Sequence, residues 1–324
     1  MSETVMVSVV IPTFGRSEPL RRALKSVRHQ KYKDYEIIVV DDNVTLDSQN
    51  SVQNICSEFD AYYLKNSGTK GGCGARNTGA LNSSGKYLAF LDDDDCWFDN
   101  KLVEQIRFME SLGSHASFSG FFIYYETQSL AVESIKNRSK DVLTHNDILQ
   151  GSCPATTSLA VVRRDVFLAI GLFDVSLPSF QDYDLWLRIS DYGEIHYLEM
   201  ALVVFTFHSG DRVSVNLNRR FSGLEMIVKK WQSELSSSGN LKLIKQKFRA
   251  AAYDVNALTL SDTAYFKSIE YRILSIYEYP LNARSYVHLL LNILGGDIYW
   301  AIRKMRNAMP DHLNKKINYL YNVE

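Results

Sequence analysis

Four short runs of apolar, mostly β-branched residues, each followed by a helix-like pattern, constrain this chain more than any other feature. Val7 to Ile11 reads as a buried strand; after it Leu20, Ala23, Leu24 and Val27 share a helical face, with Ser17 placed to cap that helix. Glu36 to Val40 is a second strand, and Val52, Ile55, Cys56 and Phe59 then recur at helical spacing. Tyr62 to Leu64 is a third, followed by a short helix from Ala75 to Ser83. Tyr87 to Leu91 is a fourth, and Asp99 is placed to cap a helix carrying Leu102, Ile106 and Met109. Right-handed crossovers turn this order into an α/β fold: a Rossmann-like, mostly parallel sheet with helices on both faces. Ligands of such folds bind beyond the C-terminal ends of the strands. Three of the strands end there in polar loops: Pro12 to Arg16, Asp41 to Asn43, and Asp92 to Asp95.

At 324 residues the chain is long enough for more than one minimal core. Phe118 to Tyr125, Ser158 to Val162 and Leu202 to Phe207 read as further strands. After Leu217 the pattern turns helical. Phe221, Leu224, Val228, Trp231 and Leu235 share a face, Ser236 to Gly239 reads as a turn between helices, and residues 241–324 read as an α-helical C-terminal appendage. A formal net charge of −1 offers no global field for nucleic acid. None of the four cysteines lies in a Cys-x-x-Cys pair, which fits reduced thiols in a cytoplasmic protein. The apolar start is too short for a signal peptide, and the apolar run Val287 to Leu294 is too short to span a membrane.

The run Asp92-Asp93-Asp94-Asp95 directly follows the fourth strand. Adjacent carboxylates repel one another unless a cation lies among them, and hard oxygen ligands suit Mg²⁺ or Mn²⁺. A solvated acidic loop or weak calcium site has the same composition; the strand before the run and Trp97 after it favour the metal site. Asp41 and Asp42 can accept hydrogen bonds from a ribose or a base, and they are equally good turn residues. Gly71 to Gly74 opens a helix that contains Arg76, an arrangement able to hold an anion and also typical of a flexible loop. Asp182 stands at the head of an apolar helix, where the helix dipole favours its ionised form, and it serves equally as a simple cap. His208 follows the strand ending at Phe207 and is open to either a ligand or a structural role.

Taken in order, Val-Ser-Val-Val-Ile-Pro-Thr-Phe-Gly-Arg, Glu-Ile-Ile-Val-Val-Asp-Asp-Asn, Gly-Ala-Arg-Asn-Thr-Gly-Ala, Phe-Leu-Asp-Asp-Asp-Asp-Cys-Trp and Gln-Asp-Tyr-Asp-Leu-Trp-Leu-Arg resemble family 2 glycosyltransferases of the inverting GT-A type. The resemblance covers roughly residues 5–215. It implies a GT-A domain over 1–215, with nucleotide-sugar binding in 1–115 and the acceptor side and catalytic base in 116–215, ahead of a helical region over 216–324. It further implies that Pro12, Thr13, Phe14 and Arg16 lie beside the nucleotide, that Asp42 with Asp41 meets the base, and that Arg76 meets the diphosphate. Asp92 and Asp93 would touch the nucleotide sugar. Asp94, Asp92 and His208 would hold Mn²⁺ or Mg²⁺, and Asp182 would be the catalytic base. Gly15 and Val44 stand where the family more often has Asn and Gly or Ser.

The implied reaction is an in-line displacement moving a sugar from a UDP-sugar to a glycan hydroxyl. The acceptor would be lipid-linked, as in O-antigen, capsule or other surface polysaccharide synthesis. A sugar-phosphate nucleotidyltransferase or a non-catalytic nucleotide-sugar binding protein is the alternative. The former should carry a basic glycine-rich loop after the first strand, whereas Pro12 to Arg16 has one glycine; the latter should lack Asp182. The resemblance places the protein in the cytoplasm, with a peripheral contact at the inner membrane through the C-terminal region. Trp300, Arg303, Lys304, Arg306, Lys315 and Lys316 fit such an interfacial segment and fit an ordinary solvated helix with buried aromatics as well.

Overall fold

The computed structural model describes residues 5–134, 141–153, 156–208, 215–261, 263–306 and 310–321. Its strands are β1 (Val7–Thr13), β2 (Tyr35–Asp41), β3 (Tyr62–Lys65), β4 (Tyr87–Phe90), β5 (Cys96–Trp97), β6 (Ala116–Tyr125), β7 (Leu130–Ser134), β8 (Val142–Leu143), β9 (Ala160–Arg163) and β10 (Ile195–Phe207). They form a sheet in the order β3-β2-β1-β4-β9-β6-β10-β5, with β7 against β6 and β8 against β10. The pairs β1–β2, β1–β4, β2–β3 and β6–β10 are parallel. β9 runs antiparallel between β4 and β6, which joins the two parallel blocks.

The helices before residue 216 are α1 (Ser17–Arg28), α2 (Leu46–Glu58), α3 (Gly72–Leu81), α4 (Lys101–Leu112), α5 (His145–Leu149), α6 (Arg164–Ala169) and α7 (Gln181–Tyr192). Successive strand side chains point to opposite faces, so the β-branched runs feed two cores. Val7, Val9 and Ile11 of β1 pack with α1, α2 and α4. Val10, between them, points to the other face, where α3, α6 and α7 lie.

After residue 216 come α8 (Leu217–Lys230), α9 (Gln232–Ser237), α10 (Leu241–Thr259), α11 (Tyr265–Glu278), α12 (Ala283–Ile293), α13 (Gly296–Arg306) and α14 (Asp311–Tyr321). The first of these join the core of the α7 face: Leu224, Ile227, Val228, Trp231, Leu235 and Ile244 belong to the same apolar cluster as Trp186 and Phe90. Further on, Ile317 and Leu320 of α14 close over Cys96, Phe122 and Val204 at the β5 edge. No described helix is long and apolar enough to cross a membrane.

Several local expectations are corrected. Ser17 does not cap α1; it is the first helical residue, and Arg16 before it makes no side-chain cap bond. Asp99 does not cap α4, which begins after Asn100; its carboxylate is drawn to Lys31 at 3.0 Å and Lys316 at 2.6 Å. The strand expected from Leu202 starts at Ile195. Register shifts around Ala201 interrupt its pairing, and the polar Glu199 hides its first half from an alternation argument.

Candidate active site

The three polar loops meet at the C-terminal ends of β1, β2 and β4, as a parallel sheet requires. Pro12 is buried within β1, paired with Val40. Thr13 donates its hydroxyl to Asp93 at 2.8 Å. Arg16 reaches the same cluster, 3.3 Å from Asp93 and 2.5 Å from Asp94. Burial opposes the Arg16 charge, but Asp93 and Asp94 outweigh it and strengthen its hold on the proton. Phe14 makes none of these contacts and is 62 % exposed.

The two carboxylates after β2 part ways. Asp41 is buried and committed within the protein: it accepts from the Asn43 backbone and side chain and from the Tyr63 hydroxyl. Asp42 is half-buried. It accepts from Asn66 Nδ2 at 2.7 Å and from the Gly71 N–H, so it ties the glycine loop to β2. That loop is tightly built. Gly71 has φ +106, and a Cβ on Gly74 would lie 1.7 Å from the Thr69 carbonyl oxygen. The loop delivers Arg76 from α3 onto Asp92, with the Phe173 ring 5.8 Å from the guanidinium. Burial opposes the Arg76 charge, but Asp92 and, more weakly, Asp182 help to outweigh it, so Arg76 holds its proton firmly.

The four aspartates take four different roles. Asp92 faces Arg76 and accepts from the Thr156 and Thr157 hydroxyls at 3.3 Å each. Asp93 is buried, and burial together with Asp94 pushes its carboxyl up to about 7, against the pull of Arg16 and Thr13. Asp94 lies 3.0 Å from His208 Nε2. Asp95 is enclosed: it accepts from the Ser158 hydroxyl at 2.6 Å and the Thr206 N–H at 3.0 Å, and burial raises it well above the usual carboxylate range. Asp92, Asp94 and Asp95 nonetheless bring ligand atoms within 4.8 Å of one another. Carboxylate oxygens with an imidazole beside them fit Mn²⁺ or Mg²⁺. Asp94, Asp92 and His208 would hold the ion, while Asp95 braces the turn.

Asp182 is in the first turn of α7, near enough for Arg76 to feel its charge as well as that of Asp92. It accepts from the Tyr183 N–H at 2.8 Å. The helix N-terminus favours its ionised form, and burial works against that. Burial raises its affinity for a proton, opposed first by that N–H and then by Arg220 of α8 and Arg76 of α3. Asp184, two residues on, points away into the core, where it takes Arg188 at 2.9 Å, Lys230 at 2.9 Å and the Trp231 indole at 3.0 Å.

Sequence reasoning passed over Asn66, the Thr156–Ser158 hydroxyls, Thr206 and Arg220. The run Thr156-Thr157-Ser158 ahead of β9 was a usable signal, because three hydroxyls before a strand can face that strand's neighbour. Nothing in the sequence marked Arg220, which reaches the site only through the packing of α8.

The sequence pattern described as Glycosyl transferase family 2 matches residues 8–171, half of the chain. The chain belongs to that family. Among its relatives, the Escherichia coli UDP-Glc:alpha-D-GlcNAc-diphosphoundecaprenol beta-1,3-glucosyltransferase WfaP is 30 % identical, over 65 % of this chain and 80 % of that one. The Campylobacter jejuni GalNAc(5)-diNAcBac-PP-undecaprenol beta-1,3-glucosyltransferase is 27 % identical, over 94 % of this chain and 98 % of its own. Three Rickettsia relatives are longer, and the chain spans 37 %, 42 % and 40 % of them. The Pyrobaculum calidifontis mannosyltransferase PcManGT, solved with GDP-Man and Mn²⁺, shares the GT-A fold with a TM-score of 0.55 at 13 % identity, over 95 % of this chain and 89 % of that one.

Proposed function

We propose that this chain is an inverting, metal-dependent glycosyltransferase that moves a hexose or N-acetylhexosamine from a UDP-sugar to a hydroxyl of a lipid-linked glycan in bacterial surface polysaccharide synthesis. The observation that carries this reading is the setting of Arg76, which pairs with Asp92 and also feels the charge of Asp182, so one arginine is shared by the aspartate cluster and a second buried carboxylate. Thr13, Phe14, Arg16 and Asp42 line the donor side. Mn²⁺ or Mg²⁺ held by Asp94, Asp92 and His208 would offset charge on the departing diphosphate. Asp182 takes the proton of the acceptor hydroxyl. A lipid-linked acceptor is supported by the two undecaprenol-linked relatives.

The same acceptor supports a peripheral contact with the cytoplasmic face of the inner membrane, but through a different surface from the basic-aromatic set. Trp300 and Arg303 pack on Tyr125, and Lys316 pairs with Asp99. Tyr286, Val287, Leu290, Ile293 and Leu294 on and just after α12 form an exposed apolar stripe, to which the lipid contact is assigned. The function is tested by thermal-shift and UDP-release assays on UDP-glucose, UDP-galactose and the UDP-N-acetylhexosamines with Mn²⁺. Stabilisation and slow hydrolysis by at least one are expected. Indifference to all of them, with response to a nucleoside triphosphate and a sugar phosphate, would instead identify a nucleotidyltransferase.

A further inference from the structure

Arg220 is a cation without a counterpart bond. Its guanidinium lies 4.6 Å over the Phe180 ring at the entrance to α7. The buried Nε has no hydrogen-bond partner, and no other hydrogen bond or close ion pair is made by this side chain among the described residues. Burial lowers its pKa, and the Asp182 charge opposes that without compensating it. An arginine held this way is costly unless something supplies an acceptor, because each unmade bond to a charged donor forfeits the bond's worth.

Its placement is built rather than accidental. Phe180 adopts the left-handed conformation, φ 62, which non-glycine residues rarely enter, and this sets its ring under the guanidinium. The Ser179 hydroxyl donates to the Arg219 carbonyl at 3.1 Å. Gly223, one turn further along α8, lets the helix approach: a Cβ there would lie 2.1 Å from Ser179 Oγ and 3.0 Å from Ser179 backbone atoms. Residues 179 and 180 therefore clamp the first turn of α8 beside Asp182. The donor side already has its own arginines, Arg76 on Asp92 and Arg16 on Asp93 and Asp94. Arg220 pairs with none of the clustered aspartates, and the carboxylate whose charge it feels is Asp182, the one assigned to the acceptor.

We infer that Arg220, seated on Phe180 beside Asp182, is a binding site for a phosphoryl group of the acceptor substrate. An acceptor sugar carried on a diphosphate lipid supplies such a group close to the reacting hydroxyl, and planar guanidinium donors match phosphate oxygens. This rests on the acceptor side assigned above, but its test does not depend on transfer.

The probe is farnesyl diphosphate, titrated calorimetrically into the full chain saturated with UDP and Mn²⁺, with farnesol as the uncharged control. Farnesyl diphosphate is expected to bind the wild-type chain. Both Arg220→Met and Arg220→Gln should weaken it about tenfold or more, the worth of a charged hydrogen bond, while farnesol binds all three alike. UDP affinity and melting temperature report that the variants are folded. Asp182→Asn should retain diphosphate binding while losing transfer, so a wrong assignment of the base leaves this result standing. Absence of diphosphate binding by the wild-type chain, or equal binding by the folded Arg220 variants, overturns the inference.

Discussion

Arg16 pairs with Asp94, one carboxylate of the candidate cation site, so removing it should tighten metal binding. Its guanidinium contacts Asp94 at 2.5 Å and Asp93 at 3.3 Å, with about a third of the side chain exposed. An exposed ion pair is worth about 0.2–1 kcal/mol and a charged hydrogen bond about 1.5–3 kcal/mol. At this intermediate exposure about 1 kcal/mol is the reasonable figure, and most of it is lost when Asp94 turns to a metal. Arg16→Met should therefore raise the Mn²⁺ affinity of the nucleotide-free protein roughly fivefold. Mn²⁺ titration followed by electron paramagnetic resonance reads this directly, since bound and free ions differ in signal. Asp94→Asn should abolish the binding in either background. Unchanged or weaker Mn²⁺ affinity in Arg16→Met would refute the competition and would mean that Arg16 supports the ligand geometry instead of opposing it.

Chelation with EDTA should stop transfer and Mn²⁺ or Mg²⁺ should restore it; full turnover in excess chelator would remove the metal from the reaction. Asp182→Asn should retain UDP-sugar affinity and lose kcat by roughly 10²–10⁴-fold, as separate binding and rate measurements would tell. Because burial raises Asp182 while Arg220 and Arg76 only partly oppose it, kcat/KM should fall as pH drops through a midpoint above the ordinary aspartate value of about 3.9; a limb at or below that value would contradict the buried setting. Asp184→Asn should instead cost about 3 kcal/mol in urea unfolding, towards the low end for breaking a buried pair because Arg188 and Lys230 keep some solvent. Leu290→Glu should reduce co-sedimentation with phospholipid vesicles without altering UDP affinity, and equal sedimentation would move the membrane contact off α12.

Much of this site could be read from sequence because the parallel sheet does the assembling. A strand's C-terminal end is visible as an apolar run that stops, and the topology gathers such ends without help from side chains. Asp92 to Asp95 and Asp42 are of this kind, and Arg76 stands in the first turns of the helix that follows β3. Asp94 and His208 are 114 residues apart and meet through the same sheet, since β10 carries His208 to the aspartate turn. What stayed hidden depends on packing between elements. The separate fates of the four aspartates follow from Ser158, Thr206 and Arg16, none of which is near them in sequence. Two expected caps failed because Ser17 and Asp99 had better uses or a shifted helix start. Long β10 was half-hidden by Glu199 and an irregular register.

The contact between α14 and the aspartate turn has a consequence in time. The Tyr321 hydroxyl meets that of Thr206, 115 residues earlier, and Thr206 in turn donates to the Asp94 carbonyl. A chain is synthesised from its N-terminus, and its earlier parts begin to fold first. The sheet and its aspartates can therefore assemble while residues 311–321 are still absent, with the edge beside Cys96 and Val204 bare and Thr206 lacking its outer partner. The last turn of α14 then closes over an aspartate turn whose earlier bonds are already made, and the Tyr321 hydroxyl becomes the outer partner of Thr206.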